Sequence, residues 1–202
     1  MIKCNVTVCG VIGRDASIRT NKEGKTFLVF PLRVMIPDTD GKTMPIEVDV
    51  SKDTAGKEVS KYRNGSRIEV SGTMYLKHRG DKLYFNLFIN EIRTATADAK
   101  DTVKGELVFR GKVGQHIEEK RDKKDQPYTM FSAFSTEKVE DGFEYQWVRF
   151  FCFGKEREAW LQPGVRVDAK GEISYSGSNV SWLAGFQGLW NDRSGIMGFY
   201  VP

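Results

Sequence analysis

The sequence predicts an all-β protein built from two tandem five-stranded barrels, each with one short helix between its third and fourth strands. Three observations carry this. Strand-length runs of alternating apolar and polar residues, bounded by Gly, Pro and Asn, recur along the 202 residues. The chain also repeats itself. Asn5-Val6-Thr7-Val8-Cys9-Gly10-Val11-Ile12-Gly13-Arg14 is matched by Glu106-Leu107-Val108-Phe109-Arg110-Gly111-Lys112-Val113-Gly114-Gln115, and both read strand, Gly, two residues, Gly. Finally, Gly65-Ser66-Arg67-Ile68-Glu69-Val70-Ser71-Gly72 matches Gly164-Val165-Arg166-Val167-Asp168-Ala169-Lys170-Gly171. The opening glycine precedes the closing one by 62 positions in the first copy and 60 in the second.

Taken in order, the first copy has strands near 4–13, 26–36, 44–51, 66–76 and 83–92. A charged, helix-prone segment over Lys52–Tyr62 precedes the fourth, and Asn64-Gly65 ends it. In the second copy the strands lie near 106–114, 128–136, 143–153, 165–175 and 180–187. The helical slot there is Lys155–Leu161, stopped by Pro163-Gly164. Five strands with a helix between the third and fourth is the order of an OB-fold, a Greek-key barrel. Glycines within the strands supply the bends a small barrel needs. The expected boundaries are a first repeat over 1–93, a small polar linker over 94–104, a second repeat over 105–190 and a C-terminal tail over 191–202. A β-sandwich with a chance repeat is the alternative, and the shared glycine spacing argues against it.

Composition agrees. Thirteen Phe and twenty Gly with six Pro suit a β-rich globular chain. No run approaches the roughly 20 apolar residues of a membrane span. The alternating start, Met1-Ile2-Lys3-Cys4-Asn5-Val6, lacks the apolar stretch of a signal peptide, so a cytoplasmic protein is expected. Cys4, Cys9 and Cys152 are odd in number and fall in strands, which suits buried reduced thiols. The net charge of +4 is unevenly spread: residues 1–100 carry 17 basic and 12 acidic side chains, residues 101–202 carry 14 and 15. A basic N-terminal half is weak evidence for a polyanionic partner.

Catalysis finds no support. His78 and His116 have no Cys at ligand spacing, and Cys-x-x-Cys is absent, so neither a metal nor a cofactor is expected. Gly24-Lys25-Thr26 and Gly41-Lys42-Thr43 lack the second glycine of a phosphate loop. Glu118-Glu119 sits in a charged loop, a poor place for acid–base chemistry.

The chemistry-bearing stretch is Trp147-Val148-Arg149-Phe150-Phe151-Cys152-Phe153-Gly154-Lys155. Strand side chains alternate, so Trp147, Arg149, Phe151 and Phe153 share one face and Val148, Phe150 and Cys152 the other. Three aromatics and a cation on one face make a platform for stacking nucleic-acid bases. The alternative for Trp147 and Phe153 is packing between modules, since aromatics are as common at protein interfaces. Tyr175 and Trp182, in the short last hairpin of the second copy, extend the aromatic surface. The first copy offers Tyr75 and a basic hairpin tip with Lys77, Arg79 and Lys82, which either contacts phosphates or is a solvated turn.

The stretch resembles the third strand of the bacterial single-stranded-DNA-binding protein (SSB) family, where a tryptophan precedes Phe-Gly-Lys at this spacing. Gly10-Val11-Ile12-Gly13-Arg14-Asp15-Ala16-Ser17-Ile18-Arg19 is similar to the family's first strand and loop, with Ala16 where proline is usual. The resemblance implies that Trp147 and Phe153 stack on bases. Setting Val50-Ser51-Lys52 against Phe153-Gly154-Lys155 puts Met44 opposite Trp147 and Val50 opposite Phe153, so the first copy lacks both stackers. The chain departs from the family at its end, which has no acidic tip, so recruitment of partners through such a tip is not expected.

Together these imply a non-sequence-specific single-stranded DNA binder, accessory to replication, recombination or mobile-element processing in the cytoplasm and nucleoid. The resemblance further implies a homodimer, while the repeat also allows a pseudo-symmetric monomer. An OB-fold adaptor that binds only protein, or an RNA binder, are the alternatives.

Overall fold

The computed structural model describes residues 2–37, 42–54, 56, 58–79, 82–139, 142–153, 157–172, 182–188 and 195–201. The chain divides into two compact units, residues 4–105, and residues 106–202 with 1–3.

The unit of residues 4–105 is a closed five-stranded barrel. Its strands are β1 (Ile2–Ile12), β2 (Ser17–Thr20), β3 (Thr26–Pro37), β4 (Thr43–Asp53), β5 (Arg67–Arg79) and β6 (Lys82–Thr94). Pairing runs β1–β5–β6–β4–β3 and returns to β1 through Val11↔Arg33 and Ile12↔Leu32, while β2 lies on the outer edge of β3. β4 and β6 are parallel. Alternation puts Leu28, Phe30, Leu32 and Val34 of β3, Ile46, Val48 and Val50 of β4, and Phe85, Leu87 and Ile89 of β6 in the interior. Each such burial contributes about 1.5–3 kcal/mol.

The helix expected over Lys52–Tyr62 is replaced by one 3-10 turn, Val59–Lys61. Lys52 and Asp53 continue β4, and Gly56 adopts φ +88°. What remains is too short to repay helix nucleation, and the turn buries no residue. The loop after β1 is tied to the turn before β5 by Asp15. Its Oδ1 accepts the Asn64 backbone N–H at 2.7 Å and its Oδ2 accepts Arg63 Nη1 at 3.0 Å. The backbone donor first, and then the guanidinium, hold the Asp15 carboxyl below the usual range. Residues 94–104 are bound to this unit: Asp101 accepts hydrogen bonds from the Met35 N–H (2.7 Å) and from Arg67, which also donates to Ala99 O at 2.9 Å.

In the unit of residues 106–202 the strands are β7 (Thr102–Arg121), β8 (Pro127–Val139), β9 (Gly142–Phe153), β10 (Arg166–Glu172), β11 (Trp182–Gly188) and β12 (Gly195–Val201). They pair in the order β10–β7–β8–β9–β12–β11. Residues 195–201, expected in a tail, form a strand along the open edge of β9, with Phe199↔Phe150 and Tyr200↔Arg149 in register. An unpaired edge exposes a row of backbone donors and acceptors, and β12 satisfies them. Residues 157–161 of the second helical slot form a turn, closed by Leu161 N–H to Glu158 O at 3.0 Å.

The two glycine motifs do the same work in each unit. Gly65 N–H donates to Ile12 O (2.9 Å) and Ile12 N–H to Ser66 O (2.9 Å). Gly164 N–H donates to Val113 O (2.8 Å) and Val113 N–H to Val165 O (2.9 Å). Both turn glycines have φ +83°, which side chains disfavour. A Cβ on Gly10 would lie 2.5 Å from Arg33 O, and one on Gly111 2.3 Å from Phe134 O, so both positions permit the same close crossing of strands.

Candidate nucleic-acid interface

β9 divides its side chains as the alternation predicts. Val148 and Phe150 are fully buried, with Phe150 stacked on Phe131 at 4.9 Å and edge-on to Phe109 at 5.2 Å. The opposite face carries Phe143, Tyr145, Trp147, Arg149 and Phe151. Phe143, Tyr145 and Trp147 are 61%, 59% and 44% exposed, far more than large apolar groups gain from water. Phe134 of β8 supports them from one side, with ring centroids 5.7 Å from Tyr145 and 4.9 Å from Trp147. The Trp147 ring extends over β7 at Gly114, where a Cβ would meet Cζ3 at 2.8 Å. Tyr128 lies 6.4 Å from Phe151. Arg149 is exposed, paired across the ladder with Ser132. Beside them on β7, Lys120 Nζ lies 2.6 Å from Glu118. That hydrogen bond, then the ammonium charge, with smaller effects from His116 and Arg149, keeps the Glu118 carboxyl below its ordinary range.

Trp147, Arg149 and Phe151 are thus brought onto one face. Phe153 continues β9 at the same parity, and Trp182 lies in β11; the side chains of both fall outside the described residues, as does Tyr175 altogether. Tyr75 is half-buried on β5 of the other unit. Lys77 and Arg79 on β5 and Lys82 on β6 are placed in strand ladder, Arg79 opposite Lys82, and their side chains also lie outside the described residues. Sequence reasoning missed Phe143, Tyr145 and Phe134. The signal for the first two was present, since the same two-residue period runs back from Trp147 through Tyr145 to Phe143.

The ladders correct the alignment of the copies. In the first unit Val11 pairs with Arg33 and Arg33 with Glu47. In the second, Lys112 pairs with Phe134 and Phe134 with Trp147. Counting from these equivalent starts, Trp147 corresponds to Glu47, Arg149 to Asp49, Phe151 to Ser51 and Phe153 to Asp53. Met44 and Val50 are therefore not the counterparts of Trp147 and Phe153. Val50 is 2% exposed, on the core face. A slip of one residue, or of any odd number, moves a strand residue to the wrong side of the sheet. The first unit presents three carboxylates where the second presents aromatics and a guanidinium.

Cys4 and Cys9 are buried, and burial pushes the Cys4 thiol up to about 12. Among the described residues no group of His, Cys, Asp and Glu is arranged to hold a metal ion. No helix among them is long and apolar enough to cross a membrane.

No family model and no curated protein matches the sequence. Among solved structures the chain is similar to the wild-type single-stranded DNA binding protein from Thermus aquaticus, at 12% identity over 92% of this chain and 85% of that one, with a TM-score of 0.48. It is also similar to the Plasmodium falciparum SSB in complex with ssDNA, at 18% identity, 46% of this chain, 95% of that chain and a TM-score of 0.36. A third is the N-terminal domain of PriB protein from Thermoanaerobacter tencongensis, at 16% identity, 46% of this chain, 97% of that chain and a TM-score of 0.30.

Proposed function

We propose that residues 106–202 form a second OB-fold that binds single-stranded DNA without sequence preference, and that this serves DNA replication, recombination or mobile-element processing in the cytoplasm and nucleoid. The observation that carries the reading is the exposed aromatic ladder Phe143, Tyr145, Trp147 on one face of β9, continued by Arg149 and Phe151. Same-face neighbours on a strand stand about 6.8 Å apart. Base stacking on such rings is tolerant of sequence, because every base has a π-face, and contributes about 1–3 kcal/mol per base. Arg149 supplies charge for a phosphate or a base face. Trp147, Arg149, Phe151 and Phe153 are the proposed core of the site, with Tyr175 and Trp182 beside it; the Tyr75, Lys77, Arg79 and Lys82 set of the first unit is a secondary contact.

The test is titration of the full chain with oligo-dT at low and high salt, read by tryptophan fluorescence. Quenching that weakens with salt and is strongly reduced in Trp147→Ala supports the reading. An oligomer that is not retained at low salt sinks it. Competition by an RNA oligomer of equal length distinguishes the RNA alternative.

A second reading has its own support. The outer face of β4 carries Glu47 and Asp49, with Asp53 paired to Lys25 at 2.7 Å, and its two other carboxylates repel phosphates and suit a basic protein partner. In that reading the first unit is an adaptor surface and only the second binds DNA. The homodimer expected by resemblance is part of the proposal; light scattering at one chain mass in micromolar solution removes it.

A further inference from the structure

Resting on the stacking reading, we propose that the sugar-phosphate backbone of the bound strand leaves the aromatic ladder across β8 and β7 and enters a cationic groove lined by Arg110, Lys112 and Arg166. The groove has a volume of about 730 Å³ and its wall is shared with the ladder: Phe134 and Tyr145 line it. Those two rings pack on each other, and Phe134 also packs on Trp147, so groove and ladder form one continuous surface of a single unit.

The ladder between β10 and β7 gathers the cations. Arg166 is paired with Lys112, and Asp168 with Arg110, all four exposed on the outer face. Three cations therefore meet one carboxylate. Arg110 Nε is 3.8 Å from Asp168 Oδ1, with side chains 77% and 63% exposed. An ion pair so long and so wet is worth little, and a phosphate oxygen exchanges readily for the carboxylate.

The other unit shows what happens where the aromatics are missing. The register Val11↔Arg33 against Lys112↔Phe134 puts Cys9 in the place of Arg110 and Val11 in that of Lys112. The matched turns Gly65 and Gly164 put Arg67 in the place of Arg166. Cys9 is buried, and the Arg67 guanidinium is held by Asp101. At these matched positions the first unit loses two of the three cations, its third is held by Asp101, and the β9 aromatics give way to Glu47, Asp49 and Ser51, as one ligand touching both sets requires. The second half is acidic in sum, yet Arg110, Lys112, Arg149 and Arg166 lie on the face that carries the rings.

The ligand class is the phosphodiester backbone of a single strand, and the probe is oligo-dT with the full chain. In Arg110→Gln/Lys112→Gln/Arg166→Gln the slope of log affinity against log salt should be shallower by about two, at about 0.7 for each phosphate that is no longer neutralised. Affinity at low salt should fall by 10-fold or more, while tryptophan quenching at saturation stays at its wild-type depth. Asp168→Asn, which removes the carboxylate from the groove, should instead strengthen low-salt binding, a gain that misfolding does not produce. A wild-type slope in the triple variant overturns the groove and leaves the stacking reading standing. Binding without quenching, but with the slope reduced in the triple variant, supports the groove and overturns stacking. No binding by the wild type overturns both.

Discussion

Glu47 stands in the ladder of residues 4–105 where Trp147 stands in the ladder of residues 106–202: each is the outer-face partner of the residue that pairs with the first strand, Arg33 in one case and Phe134 in the other. A carboxylate at that position repels a phosphate and offers nothing for a base to stack on, whereas an indole does the reverse. The two copies share a frame and differ in charge at the same coordinates, so they are expected to divide labour.

Ultraviolet crosslinking of the full chain to oligo-dT, mapped by mass spectrometry, should therefore mark residues 128–153 and leave 45–53 unmarked. Crosslinks at comparable yield in 45–53 would contradict the division.

Trp147→Ala should weaken oligo-dT binding about 10- to 100-fold, the equivalent of one or two stacked bases. Its melting temperature should stay near the wild-type value, because the ring is 44% exposed and the buried Phe150 and Val148 are untouched. Tyr145→Ala should weaken binding as well, and the double variant should lose less than the sum, since both rings pack on Phe134.

Gly111→Ala and Gly114→Ala should separate stability from function. A methyl on Gly111 meets Phe134 O at 2.3 Å and the Phe109 ring at 2.6 Å, both fixed in the core, so a loss of about 2 kcal/mol or more is expected by thermal denaturation. On Gly114 the nearest atom is the far edge of Trp147, which is able to move. That variant should fold with a smaller loss, shift the tryptophan emission and bind oligo-dT more weakly.

Asp15 gives a pH dependence of known sign. Its folded carboxyl titrates below the ordinary value of 3.8 because the Asn64 N–H and Arg63 bind the charged form. The stabilisation is therefore present above about pH 4 and is lost as pH falls through the folded value. Asp15→Asn should melt below the wild type at pH 7, and the difference should shrink as both are taken to pH 3. A gap that widens in acid would show that Asp15 does not act through its charge.

Much of this molecule was determined by local sequence. The two-residue period locates the strands and puts Trp147, Arg149 and Phe151 on one face, because a strand's faces follow from its own pleat. The glycines at 65 and 164 mark turns whose positive φ side chains disfavour, and those at 10 and 111 mark crossings that a Cβ would block. Tertiary structure decided the rest. Glu47 as the counterpart of Trp147 depends on register between strands, which hydrogen-bond ladders set and loop lengths hide. Lys52–Tyr62 reads as helical from its residues, but pairing with β3 claims its start, and the remainder is too short to nucleate. The groove unites Arg110 with Arg166, and β12 joins β9 across the unit. Such pairings between distant segments close long loops before their contacts form, so no window of sequence contains the energy that selects them.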